Sequence, residues 1–304
     1  MRPSSVEYTR RESFMPGSLA SSRRDILPAV KTDLLLIPMG ARWADVRAAA
    51  VAADEAGFDG IWTWDHLRDP DGAPAGVPEC LTTLAALAEV TKRVMLGPLV
   101  LNVSSRHPGL LANMAATIQQ VSGGRLILGL GAGGSKATPY AREQEALGLS
   151  VEPDAVRAQR VAEAAQILRR LWSGDSASFT GVHYRLDRPE GYLRPDPAPP
   201  IVIGGFGPRM AAIAGKHGDG FNTQARHPQL AELARIARSE HTAAGRDPAR
   251  FSLSVFVGLA PAWLRADSEN RAALERVGVD RVILLAEPPY DPSQIRAASR
   301  LLAG

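Results

Sequence analysis

Glu55-Ala56-Gly57-Phe58-Asp59-Gly60-Ile61-Trp62-Thr63-Trp64-Asp65-His66-Leu67 is the stretch from which the fold can be read. Upstream of it, Trp43 to Ala56 is Ala-rich with a helical period, and Gly57 stops that helix. Gly60 to Trp64 is then a short run of large and β-branched residues that ends on two polar ones, Asp65 and His66. Helix, glycine stop, buried strand and polar strand end make one step of an alternating α/β chain.

The same step repeats in both directions. Strand candidates are Leu34–Met39, Val94–Leu101, Leu126–Leu130, Ile201–Ile203, Gly220–Gln224, Phe251–Leu259 and Arg281–Ala286. Between and after them, Leu81–Thr91, Pro108–Val121, Ala155–Trp172, Arg209–His217, Gln229–Ala244, Ser268–Val277 and Pro292–Leu302 read as helices. With the opening stretch this gives eight strands and eight helices in alternation. The strands are continuous apolar runs, as a parallel sheet covered on both faces requires. Eight such units closing on themselves form a (β/α)8 TIM barrel, the expected fold. A doubly wound open sheet is the other arrangement, because periodicity does not show closure. Two connections are long, 134–154 after strand four and 173–200 before strand five, and the second contains a hairpin-like 177–184. The expected organisation is a flexible N-terminal extension, 1–32, followed by one barrel, 33–304.

Composition narrows the function. The chain has 304 residues, 45% hydrophobic and 22% charged, an ordinary globular balance. No apolar run approaches the roughly 18 residues of a membrane helix. Cys80 is the single cysteine, which excludes a disulfide framework and cysteine-based metal sites. The net charge of +3 lies in residues 1–32, so no basic face for nucleic acid is expected on the barrel. Ser22–Leu27 faintly resembles a twin-arginine export signal. The following apolar stretch is broken by Lys31 and Asp33, so the expectation is a cytoplasmic protein.

Barrel chemistry belongs at the carboxyl ends of strands. Those ends carry Gly40, Asp65-His66, Asn102, Gly133-Gly134, Gly204-Gly205, Asn222 to Gln224 and Glu287. His66 with an adjacent carboxylate, Asp65, is the expected general acid or base. Trp62, Trp64 and His66 share strand parity and therefore one face. Gly204-Gly205-Phe206-Gly207-Pro208 joins a strand to a helix and suits a phosphate, since backbone N–H groups at a helix start attract anions. Gly129 to Gly134 contains a literal G-x-G-x-x-G. It opens into a loop with Pro139 and Pro153 rather than a helix, which argues for close backbone approach to a ligand and against a Rossmann fingerprint. No histidine spacing predicts a metal, and no G-x-S-x-G elbow or Walker loop is present.

Taken in order, several of these stretches resemble the bacterial-luciferase-like superfamily of flavin- and deazaflavin-dependent oxidoreductases. The matching residues are 55–67, Thr91–Gly97, Arg106-His107-Pro108, Ser122–Gly133, Pro200–Arg209 and Gly218–Phe221. The resemblance implies a tricyclic ring at the barrel mouth, stacked on an irregular bulge ending strand three, often with a non-proline cis peptide. Here that position is Leu99-Val100. Asn102, Gly131, Ala132, Gly133, Gly204, Gly205, Phe206 and Gly207 complete the implied cofactor contacts. The implied reaction is hydride transfer between coenzyme F-420 and a small organic substrate. FMN-dependent monooxygenation with a partner reductase, and a non-catalytic flavin-binding barrel, are the alternatives. Partners implied are a flavin or F-420 reductase and a second copy in a homodimer. The sugar-phosphate dehydrogenases of the superfamily carry a glutamate where this chain has Gly134. The expected pocket, lined by Trp62, Trp64, Gly134 and Tyr184, therefore points to an apolar or aromatic substrate.

Overall fold

The computed structural model describes residues 30–69 and 76–302. The N-terminal extension and the export-like Ser22–Leu27 lie outside the described residues, except that the first strand already begins at Lys31.

The barrel strands are β1 (Lys31–Leu36), β2 (Gly60–Thr63), β3 (Met95–Pro98), β4 (Leu101–Asn102) and β5 (Leu128–Gly131). After a small hairpin of β6 (Phe179–Thr180) and β7 (Arg185–Leu186), they continue as β8 (Ile201–Gly204), β9 (Gly220–Gln224), β10 (Ser252–Gly258) and β11 (Arg281–Ala286). All neighbours in the large sheet pair in parallel, in the order β3-β2-β1-β11-β10-β9-β8-β5-β4. Its two ends, β3 and β4, are halves of one strand interrupted at Leu99-Val100, and Leu96 bridges to Leu126 just before β5. The sheet therefore returns on itself. It is the expected TIM barrel of eight strands, with the third broken in two.

Helices cover the outside: α1 (Trp43–Ala56), α2 (Cys80–Val90), α3 (Pro108–Val121), α5 (Asp154–Ser173), α6 (Pro208–His217), α7 (Leu230–Ala243), α9 (Glu269–Val277) and α10 (Pro292–Ala297). Short additions are α4 (Ala141–Ala146), α8 (Pro261–Leu264) and α11 (Ser299–Leu302). Gly57 ends α1 in the left-handed conformation, φ 96°, which explains the glycine at that stop. Among the described residues no helix is long and apolar enough to cross a membrane.

Strand alternation divides the apolar residues into two cores. The larger lies between sheet and helices. The smaller fills the barrel interior with Leu35, Ile37, Trp62, Leu99, Ile127, Val202 and Ile283. Above it, toward the carboxyl ends of the strands, stand the half-buried Met39, Trp64, Val100, Phe256 and Leu285.

Candidate active site

The mouth is shaped by the interruption of strand three. The Leu99-Val100 peptide is cis, as the resemblance implied. Val100 enters a cradle that only glycine leaves open. A Cβ on Gly131 would sit 2.4 Å from its Cγ2, and one on Gly204 2.9 Å from the same methyl. A Cβ on Gly129 would meet the Pro98 carbonyl at 2.1 Å. Three of the glycines that read as a dinucleotide-like string or a phosphate turn thus hold a half-buried apolar knuckle at the mouth. Gly205 gives its N–H to the Asn222 carbonyl at 3.0 Å. The next donors belong to α6, whose first turn has Pro208 and no side-chain cap. Phe206 stands 59% exposed at that turn, edge-on to Phe256 with centroids 6.2 Å apart.

His66 packs edge-on against Trp64, with centroids 6.0 Å apart. Its Nδ1 is 3.0 Å from Glu143 Oε1, and the other Glu143 oxygen accepts the Leu67 N–H at 2.9 Å. Tyr140 stacks on the imidazole at 4.9 Å. Among the described residues no hydrogen bond engages Nε2.

Asp65, the carboxylate adjacent to His66, bonds other partners. Arg106 grips both Asp65 oxygens at 2.8 and 2.7 Å and the Asn102 N–H adds a third bond. Arg106 also reaches Glu79 at 2.6 Å. Burial alone would lower the guanidinium pKa, but the two carboxylates outweigh it and the net shift is upward.

Other expected residues are placed as follows. Asn102 is buried: its Nδ2 donates to Gln144 Oε1 and its Oδ1 accepts the Ser104 N–H. It supports the loop, and Gly133 packs on it, since a Cβ there would fall 2.6 Å from the amide. Ala132 is half-buried in the same turn, and its carbonyl accepts from Arg157. Gly134 lies against Tyr140, where a Cβ would be 2.6 Å from the tyrosine Cβ. Gly207 caps α6 at its start. Trp62 is not pocket lining. It is 1% exposed in the barrel floor and donates from Nε1 to Asp33 at 2.6 Å. Tyr184 belongs to the outer core: it packs edge-on to His107, beneath the Arg160 guanidinium, with its hydroxyl donating to the Val103 carbonyl.

Glu143, Gln144, Tyr140 and Arg106 were not singled out from the sequence as site residues. The available signal was the long 134–154 connection, which carries the first three of them to the strand ends.

The family model for the luciferase-like monooxygenases matches residues 21–296. The F420-dependent glucose-6-phosphate dehydrogenase of Nakamurella multipartita is 37% identical over 187 residues, 60% of this chain and 52% of that protein. Its counterpart from Beutenbergia cavernae is 33% identical over 254 residues, 78% of this chain and 72% of that protein. The chain therefore spans about half the length of the first relative. A solved F420-dependent secondary alcohol dehydrogenase, in complex with an F420-acetone adduct, superposes with a TM-score of 0.76 at 20% identity. That superposition covers 90% of this chain and 98% of the other, and it supports the barrel fold.

Proposed function

The chain belongs to the luciferase-like monooxygenase family, and from that premise we propose that it is an oxidoreductase moving hydride between coenzyme F-420 and a small, mostly apolar alcohol or carbonyl compound. The observation that carries this reading is the Val100 knuckle seated between Gly131 and Gly204 and packed, like Trp64, on the inner core.

The residues present fit a flat ring with an anionic tail. Val100 offers an apolar platform, and Gly131 and Gly204 let the backbone come close. The uncapped first turn of α6 presents backbone N–H groups to a phosphate. When bound, a deazaflavin supplies a two-electron hydride acceptor or donor that does not activate oxygen. The chain handles the accompanying proton. His66 Nε2 takes it from the substrate hydroxyl on oxidation and returns it to the carbonyl oxygen on reduction.

The half-buried lining of Met39, Trp64, Val100, Phe256 and Leu285 supports an apolar substrate. Arg226, the nearest candidate for a sugar-phosphate grip, lies over the Trp263 ring at 5.8 Å. The family resemblance also supports a homodimer in the cytoplasm, served by a separate cofactor reductase.

The test is a fluorescence titration with F-420 and with FMN, each oxidised and reduced. Binding of F-420 alone is expected. Binding of reduced FMN alone, with oxygen consumption, would overturn the reading in favour of a two-component monooxygenase. In a second measurement, His66→Ala should lower turnover by about 10²–10⁴-fold while leaving F-420 affinity nearly unchanged. An equal loss of both would leave His66 a binding residue only.

A further inference from the structure

We propose that Glu143, carried to the barrel mouth by the 134–154 connection, is the positioning residue that fixes His66 in the tautomer with its proton on Nδ1. The inference rests on the reading of His66 as the proton carrier. It adds which nitrogen does the work and which element sets it.

The geometry admits little freedom. Glu143 is buried and its two oxygens have separate tasks: Oε1 faces His66 Nδ1 at 3.0 Å, and Oε2 accepts the Leu67 N–H at 2.9 Å. The second bond holds the carboxylate against the backbone next to the histidine. Gln144, the following residue, is 1% exposed and accepts from Asn102 Nδ2 at 2.9 Å, which ties the short helix to strand three. Tyr140 closes over the imidazole face at 4.9 Å and an interplanar angle of 24°. Ring tilt, ring face and Nδ1 are thus all set by residues of one connection.

The proton assignment follows from the partner. An ionised carboxylate only accepts hydrogen bonds. The neutral imidazole facing it must therefore donate from Nδ1, and its lone pair resides on Nε2. Free imidazole side chains favour the opposite tautomer. The 134–154 connection thereby makes His66 a base through Nε2, the nitrogen without a hydrogen-bond partner among the described residues. A substrate hydroxyl gives its proton to that lone pair as hydride leaves its carbon. Two electrons and one proton depart as hydride, for which oxidised coenzyme F-420 of the proposed function would be the acceptor, and the second proton goes to His66 Nε2.

The experiment reads the tautomer without cofactor. Two-bond 1H–15N correlations of the 15N-labelled full-length protein are recorded over a pH series, and the tautomer is read from the neutral form. His66 is assigned by its loss in His66→Gln. The expected pattern is Nδ1–H. An Nε2–H pattern in the unsubstituted protein would overturn the proposal without any further variant. Glu143→Gln is near-isosteric, but it cannot offer an acceptor to both Leu67 and His66. It should convert His66 to the Nε2–H pattern and lower turnover by about 10²-fold or more, with F-420 affinity within about two-fold. An unchanged tautomer and unchanged turnover in Glu143→Gln would also overturn it. Failure of the F-420 reading shows separately, as absence of F-420 binding by the unsubstituted protein.

Discussion

At the scale of single residues, the site is set by side chains that are missing. Val100 reaches the mouth because Gly131 and Gly204 leave room for its methyls. In Gly131→Ala the new methyl would lie 2.4 Å from Val100 Cγ2, so the knuckle must move. Overpacking of this kind costs about 1–3 kcal/mol. The urea midpoint should fall accordingly, and F-420 affinity should fall with it as the platform shifts. Adding Val100→Ala to the same chain removes the clashing methyls and should recover most of the stability but not the affinity. A coupling energy near zero between the two substitutions would refute the wedge. This scale also shows where sequence reading reached its limit. The polar pair after strand two was legible, but its partners were not, because Asp65 is bonded to Arg106 and His66 to Glu143, residues 41 and 77 positions further on. Trp62 lies two residues before Trp64, about 6.6 Å deeper along the strand, which places it in the floor rather than the mouth.

At the scale of elements, the rim is held by one arginine and a connection without regular periodicity. Arg106 follows β4 and joins Asp65, at the end of β2, to Glu79, at the start of α2. Burial alone would raise the Glu79 carboxyl. Donation from the Thr82 N–H, from Arg106 and from the Thr82 hydroxyl outweighs it, and the folded pKa is lowered. A carboxylate whose pKa is depressed by folding adds stability above its unfolded value and loses it as pH falls through the folded one. Thermal midpoints measured from about pH 6 down to pH 3 should therefore fall less steeply in Glu79→Gln than in the unsubstituted protein. The difference should not exceed about 1 kcal/mol, because Glu79 is only half-buried. A steeper fall in the variant would mean that Glu79 is not held as a carboxylate. The strands and helices around this rim were legible because burial imposes a period on them. The short α4 was not, since six residues inside a loop carry too little pattern, and Glu143 meets a histidine 77 positions away. The length of the connection was the only mark it left.

At the scale of the whole molecule, alternation announced eight units but nothing in the period announced closure. Closure occurs where the first strand meets the last: β1 pairs with β11 over six residues, Lys31 opposite Arg281 through Leu36 opposite Ala286. The seam carries a buried ion pair, Arg281 to Asp33, which Trp62 joins from β2. The Asp33 side chain is 0% exposed and that of Arg281 8% exposed. Two charges so deep in the floor gain from each other only while both are present. Removing one leaves the other unpaired in an apolar setting, at about 3–5 kcal/mol, whereas replacing both with apolar residues of similar volume is often neutral or stabilising. Asp33→Leu and Arg281→Met should each lower the denaturation midpoint strongly. The double substitution should be more stable than either alone, with an interaction energy larger than an exposed pair could give. F-420 affinity in the double variant should stay near that of the unsubstituted protein, because the floor lies below Trp64 and Val100. If the two losses simply added, the pair would not be the clasp of the barrel, and the backbone ladder between β1 and β11 would hold the seam alone.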